Sequence, residues 1–186
     1  MGYYIELGVN HILDPEGLDH FYFIVSFCLM YTISDIRKIA ALVTAFTAGH
    51  SITLALAALE IVVVNPDLIE TLIPITILLS CILNYHSLFK KSEYRAPKGF
   101  FVYPIILFFG LIHGLGFSNF LSAMLFDGEN IITPLLGFNL GIEVAQLAIV
   151  AAVLLLLSAT DKLLNWNKVT RVVLNTIVTV MVIMMM

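Results

Sequence analysis

Six long apolar stretches constrain the fold of this chain more than any other feature. Each has roughly the 20 mostly apolar residues that a helix needs to cross the hydrocarbon core of a bilayer. Of the 186 residues, 60% are hydrophobic and only 12% are charged. A soluble domain of this size could not cover so much apolar surface with so few charges. The sequence therefore predicts an all-α, polytopic integral membrane bundle that forms a single domain in the lipid bilayer, residues 1–186.

Proline and capping residues set the predicted helix limits. Asp14-Pro15, Asn65-Pro66 and Thr133-Pro134 each place a capping side chain before a proline, the order typical of a helix start. Residues 1–13 mix tyrosines with polar side chains, which predicts an interfacial segment at the outer surface. Six transmembrane helices are predicted at about 15–33, 35–64, 66–89, 100–126, 134–158 and 169–186.

The basic residues predict the orientation of the bundle. All nine Lys and Arg residues fall in the loops between helices 1–2, 3–4 and 5–6. The amino-terminal segment and the other two loops carry acidic residues but no basic ones. Loops rich in Lys and Arg remain on the cytoplasmic side, so both termini are expected outside (N-out/C-out). No nucleic-acid-binding motif is present, and no nucleic-acid partner is expected.

Two histidines within the apolar runs are the strongest functional signal. His50 and His113 have no Lys or Arg nearby, and both are expected at membrane depth. A titratable group there is costly and marks a functional site by default. Small residues on helices 2 and 4, including Gly110-x-x-x-Gly114, let helix backbones approach closely in lipid. These two helices are therefore expected at the centre of the bundle, with their histidines facing protein.

Further polar residues are predicted at a similar depth. At about 1.5 Å of rise per residue, His50 lies roughly 17 Å from the inner end of its helix and His113 about 20 Å from the start of its own. Glu143 lies roughly 14 Å below the outer end of helix 5, and Asp19 and His20 about 6–8 Å below that of helix 1. The sequence therefore predicts a metal site formed by Asp19, His20, His50, His113 and Glu143.

Four polar side chains are expected to orient these ligands. They lie on the same helix faces as His50 and Glu143: Thr47, Ser51, Asn139 and Gln146. Imidazole with carboxylate suits Ni, Co, Zn, Fe or Mn, and the lack of a suitable thiolate argues against Cu(I). Cys28 and Cys81 are interpreted as packing residues, while His11 and His86 are interpreted as interface residues.

Several of these blocks resemble one membrane protein family. They are Gly8-x-x-His11-Ile12, Gly17-x-Asp19-His20, Thr44-Ala-Phe-Thr-x-Gly-His50-Ser51, Phe109-Gly-Leu-Ile-His113-Gly and Asn139-x-Gly-x-Glu143-x-x-Gln146. They are similar to blocks of the HupE/UreJ proteins, from about residue 8 to residue 160. The resemblance implies a small helical bundle in the bacterial inner (cytoplasmic) membrane that takes part in nickel transport or in hydrogenase and urease maturation. Related nickel permeases carry His-x4-Asp-His on an early helix, where this chain has Asp14 at the first position.

Three functions are compatible with the sequence. The first is a permease or metal-delivery accessory protein for a divalent ion such as Ni, Co or Zn, with discontinuous helices beside the site. The second is an intramembrane zinc metallohydrolase acting on a lipid-like substrate. The third is a non-catalytic subunit that holds haem between His50 and His113. The first is favoured, and the sequence leaves open whether the protein works alone, as a homo-oligomer or with an accessory membrane partner.

Overall fold

The protein is a bundle of helices. The computed structural model describes residues 1–15, 17–90, 99–117, 130–164 and 167–186. Within these ranges it contains seven α-helices, one 3₁₀ turn and no strand, so the predicted all-α class is confirmed. The helices are α1 (Gly2–Leu13), α2 (Asp19–Cys28), α3 (Ile36–Ala58), α4 (Pro66–Lys90), α5 (Val102–Gly116), α6 (Ile132–Leu164) and α7 (Asn167–Met185).

Four of the described helices are long and apolar enough to cross a bilayer. They are α3 with the 3₁₀ turn before it, α4, α6 and α7. Helix α5 is apolar but has only 15 residues. Residues 118–126 of the predicted helix 100–126, and most of the basic loop at 91–98, lie outside the described residues. Large apolar side chains such as Leu83, Leu155 and Ile183 are exposed, as lipid contact requires.

The first predicted helix, 15–33, differs most from the structure. Its helical part is confined to α2, whose 10 residues extend about 15 Å. The chain turns before α2, where Gly17 N–H donates to the Asp14 carbonyl at 3.2 Å. Pro15 in this turn lacks the N–H that a continuing helix would use. After Cys28 the backbone tightens again, since Tyr31 N–H donates to the Cys28 carbonyl at 3.0 Å.

The predicted interfacial segment 1–13 is instead a helix packed into the bundle. Tyr4, Gly8 and Ile12 of α1 are buried. Tyr4 lies against Gly137 and Gly8 lies against Ile142, so α1 and α6 run in the same direction. A Cβ atom at Gly8 would overlap the Phe138 carbonyl oxygen of α6. The absence of a side chain at position 8 therefore allows backbone contact between the two helices.

The same kind of contact joins α3 and α5, as the small-residue spacing predicts. Phe46 lies against Gly110 and the His50 backbone lies against Gly114, so these helices also run parallel. A Cβ atom at Gly49 would overlap the Leu107 carbonyl oxygen, and one at Gly110 would overlap that of Phe46. Backbone contact at three glycines fixes how far α5 can slide along α3, and therefore fixes His113 relative to His50.

Polar contacts connect α2 and α6 with α7 near the predicted cytoplasmic end. Arg171 is buried, and its guanidinium donates to both carboxylate oxygens of Asp161, at 2.9 and 3.0 Å. Its Nε donates to the Leu29 carbonyl at 3.1 Å. One of the nine basic residues that predicted the orientation therefore also holds α2, α6 and α7 together.

Candidate metal centre

His20, at the start of α2, is the centre of a cluster of four histidines. Its ring centroid lies 4.7 Å from that of His11, 5.6 Å from that of His50 and 5.1 Å from that of His113. The four rings come from α1, α2, α3 and α5. His20, His50 and His113 are 2%, 0% and 1% exposed, so they face protein and not lipid.

The interruption between α1 and α2 brings His11 next to His20. His11 lies in the last turn of α1 and His20 in the first turn of α2. A continuous helix would separate two residues nine positions apart by about 13 Å along its axis. The turn at Asp14–Leu18 instead brings the two rings to 4.7 Å. This local break therefore creates a pair of imidazoles that no regular helix could present.

Three of the imidazoles form a group suited to one metal ion. One ring nitrogen each from His11, His20 and His50 lies within 4.8 Å of the others. Imidazoles bound to one ion at about 2.1 Å in tetrahedral geometry have ring centroids about 5 Å apart. The observed separations of 4.7, 5.6 and 5.9 Å are close to this value. Side-chain adjustments of about 1 Å would complete the coordination.

Each ring of this group has at least one buried nitrogen without a hydrogen-bond partner in the described structure. His11 Nε2, His20 Nε2 and both nitrogens of His50 are buried and have no hydrogen-bond partner in the described part of the chain. Buried polar atoms in proteins are almost always paired with protein or water. A bound ion would take up one nitrogen lone pair from each ring.

Asp19 orients the central ring. Its Oδ1 lies 3.2 Å from His20 Nδ1, where a carboxylate can only accept. His20 therefore carries its proton on Nδ1, which leaves the lone pair on Nε2, a buried atom without a hydrogen-bond partner in the described structure. A carboxylate behind a ligating histidine fixes the tautomer and raises the basicity of the ligand. The adjacent pair Asp19-His20 thus provides both a possible ligand and the group that orients its ring.

His113 contacts this group from α5. The Thr76 hydroxyl donates to the Ile73 carbonyl at 2.7 Å, so it accepts from His113 Nε2–H at 3.0 Å. The lone pair of His113 is therefore on Nδ1, which lies 3.7 Å from Asp19 Oδ2. Asp19, His20 and His113 form a second group whose possible ligand atoms lie within 4.8 Å of one another.

Aromatic side chains surround the histidines, and one side of the cluster is accessible. The Phe46 ring centroid lies 5.9 Å from that of His20 and 5.1 Å from that of His113. Phe117 packs on His11, with ring centroids 3.9 Å apart. An open cavity of about 380 Å³ reaches His11 past Asn10 and Asp14. The cluster can therefore be approached from the surface through His11.

The structure places Glu143 away from the histidines. Its carboxylate accepts a hydrogen bond from the Thr44 hydroxyl at 2.6 Å. Thr44 lies six residues before His50, about 9 Å along α3. The expected convergence of Glu143 with the histidines does not occur in the described structure, because the helix face that carries Glu143 packs against an earlier turn of α3.

The four residues expected to orient ligands make other contacts. Thr47 lies 3.0 Å from Gln146 Oε1, which joins α3 to α6. Ser51 donates to the Thr47 carbonyl at 2.6 Å, and Asn139 donates to the Leu135 carbonyl at 2.7 Å. None of them bonds to His50, whose nitrogens have no partner among the described residues.

The sequence patterns do not predict two residues of the cluster. His11 is interpreted from the sequence as an interface residue, although Pro15 and Gly17 after α1 are signals for a helix break. Thr76 carries no motif, and only the packing of α4 against α5 brings it to His113. Among the described residues, Asp19 and Thr76 are therefore the ones that hydrogen-bond to rings of the cluster, those of His20 and His113.

The arrangement does not suit a haem between His50 and His113. A bis-histidine haem requires the two axial rings on opposite faces of a macrocycle. The His20 ring packs on both of these rings, with its centroid 5.6 Å from that of His50 and 5.1 Å from that of His113, so a macrocycle bound by both would have to displace it.

The fold and the cluster define a helical membrane protein with a histidine-rich centre suited to a metal ion. The chain matches the family described as HupE / UreJ protein over residues 1–186, its full length. It therefore belongs to the HupE/UreJ family, as its motifs indicated. No curated protein and no solved structure matches it significantly.

Asp19 and Glu143 are both predicted as ligands from the sequence, and metal binding by their variants distinguishes their roles. Asp19→Asn should weaken metal binding by about 10- to 100-fold, because the carboxylate that orients His20 is lost. Glu143→Gln should change the affinity by less than about threefold, since Glu143 contacts Thr44 and not the cluster. Isothermal titration of the purified protein with Ni²⁺ and Co²⁺ measures both. A larger loss in Glu143→Gln than in Asp19→Asn would contradict this assignment.

Proposed function

We propose that this protein transports a divalent transition-metal ion of the nickel or cobalt type across the membrane. The ion binds to His11, His20 and His50, and Asp19 orients His20. His113 lies next to this group on a neighbouring helix, with its ring centroid 5.1 Å from that of His20. Membership of the HupE/UreJ family supports a role in nickel or cobalt handling.

One observation carries this proposal. Three imidazoles from three helices converge with ring nitrogens that are buried and lack hydrogen-bond partners in the described structure. If they only joined helices, their nitrogens would hydrogen-bond to neighbouring helices. Within the described ranges, the ring that does so is that of His113, whose Nε2 bonds to Thr76 of α4. Neutral imidazole is a preferred ligand of Ni²⁺, Co²⁺ and Zn²⁺, which makes the cluster more suitable for an ion than for structural support.

The interrupted helix supports transport rather than storage. Transport sites in membranes commonly lie where a helix is broken and its ends meet the substrate. Here the cluster lies at the break between α1 and α2, and an open cavity leads to His11. An ion can thus reach the site from one surface. If the wild-type protein binds metal but does not transport it, the delivery role of an accessory protein applies instead.

We further propose that the bundle crosses the bacterial inner membrane six times, with both termini outside. Helices α1 and α2 together have about 33 Å of helical length and would form one interrupted crossing. The parallel pairs α1–α6 and α3–α5 are those expected if successive crossings alternate in direction. The pairing of Asn84 with Asn175 and of Lys168 with Phe89 makes α4 and α7 antiparallel, as alternation also requires.

Cysteine labelling tests this orientation. In a variant whose Cys28 and Cys81 are replaced by alanine, a cysteine at Asp67 should react with an impermeant reagent added to intact cells. A cysteine at Lys168 should react only after permeabilisation, because basic loops stay inside. The reverse pattern would contradict the proposed orientation and place both termini inside.

Uptake into proteoliposomes tests the function. Wild-type protein should mediate saturable entry of Ni²⁺ or Co²⁺, followed with an encapsulated metal indicator. His20→Gln and His50→Gln should each reduce uptake by at least about tenfold, since removing a ligand from a three-ligand site leaves it incomplete. His86→Gln is the matched control, because His86 is exposed near the end of α4 and belongs to neither histidine group. If wild type and the two cluster variants give equal uptake, the proposal is wrong.

A further inference from the structure

Next to the three-imidazole group, Asp19 and His113 provide a second arrangement of unshared ligand atoms. Asp19 Oδ2 and His113 Nδ1 lie 3.7 Å apart. Because Thr76 accepts the Nε2 proton of a neutral His113, its Nδ1 directs a lone pair toward a carboxylate oxygen. Two acceptors that face each other without a shared proton repel, and burial strengthens this repulsion.

A cation between these two atoms would satisfy both. With metal–ligand distances of about 2.1 Å, an N···O separation of 3.7 Å corresponds to a ligand–metal–ligand angle of about 120°. This angle is close to tetrahedral geometry and requires little movement. By contrast, 3.7 Å is longer than the 2.7–3.2 Å or so of an N–H···O hydrogen bond, so a proton would fit this spacing less well.

His20 belongs to both groups of candidate ligands. Its Nδ1–H donates to Asp19, so the lone pair that it can offer to the first group is on Nε2. Two divalent ions this close would repel strongly, and His20 would have to lose its remaining proton to bind both. The geometry therefore favours one ion that occupies the two positions in turn.

We infer that the protein holds two adjoining cation positions that meet at Asp19-His20, and that the ion passes from His11, His20 and His50 to Asp19 Oδ2 and His113 Nδ1 during transport, while the Nδ1 proton of His20 stays in its hydrogen bond to Asp19 Oδ1. This inference rests on the proposed function and adds a second step to it. His11 borders the open cavity, whereas His113 is fully buried beside Thr76 of α4. The first position therefore receives the ion and the second passes it onward.

Separate measurements of binding and uptake test this inference. His113→Gln should bind one Ni²⁺ with an affinity within about threefold of wild type, because the three-imidazole position is intact. Its uptake into proteoliposomes should fall by at least about tenfold. His50→Gln should lose both binding and uptake, and His86→Gln should lose neither.

A second variant covers the case in which His113→Gln does not fold. Thr76→Val removes the hydroxyl that holds the His113 ring but keeps both imidazole and helix. It should leave binding within about threefold and lower uptake several-fold, and its melting temperature in detergent should verify the fold.

Each outcome has a distinct meaning. Equal losses of binding in His113→Gln and His50→Gln would merge the two positions into one site and overturn the inference. Unchanged uptake in both His113→Gln and Thr76→Val would also overturn it, since His113 would then be structural. Absence of metal binding in the wild-type protein would instead overturn the proposed function itself.

Discussion

The burial of imidazoles without hydrogen-bond partners is the constraint on which the interpretation of this protein depends. Five ring nitrogens of His11, His20, His50 and His113 are buried without a hydrogen bond in the described structure. A buried polar atom without a partner costs about 1–3 kcal/mol, and a bilayer supplies no water to reduce that cost. A cation that accepts the nitrogen lone pairs offsets part of this cost, which explains why four helices converge on one polar centre.

Helix geometry determines which residues reach that centre. Glycine contacts bring α1 against α6 and α3 against α5 at backbone distance, and they leave little freedom for His50 relative to His113. The break between α1 and α2 has a different effect. It ends one helix and begins the next at positions where His11 and His20 lie side by side. Close packing thus fixes His50 relative to His113, and the interrupted helix brings His11 next to His20. The same break leaves an open cavity beside His11.

Some of this arrangement could be predicted from the sequence. Apolar runs and small-residue spacing predicted the helical class and the α3–α5 contact, because both depend on local patterns. Depth along a helix correctly grouped His20, His50 and His113 but also included Glu143. The position of a residue along its helix predicts its depth in the membrane but not the direction of its side chain around the helix axis. The side chain of Glu143 contacts Thr44 and not the histidines. The roles of His11 and Thr76 depend on a chain break and on helix pairing, which periodicity does not encode.

The number of imidazoles bound to the ion tests the central claim most directly. X-ray absorption spectroscopy of the purified protein with one equivalent of Ni²⁺ measures this number, because imidazole rings give characteristic outer-shell scattering. We predict three imidazole ligands in the wild-type protein and two in His11→Gln, with no change in His86→Gln. An ion bound by oxygen ligands alone, or an identical spectrum for wild type and His11→Gln, would contradict a site built at the break between α1 and α2.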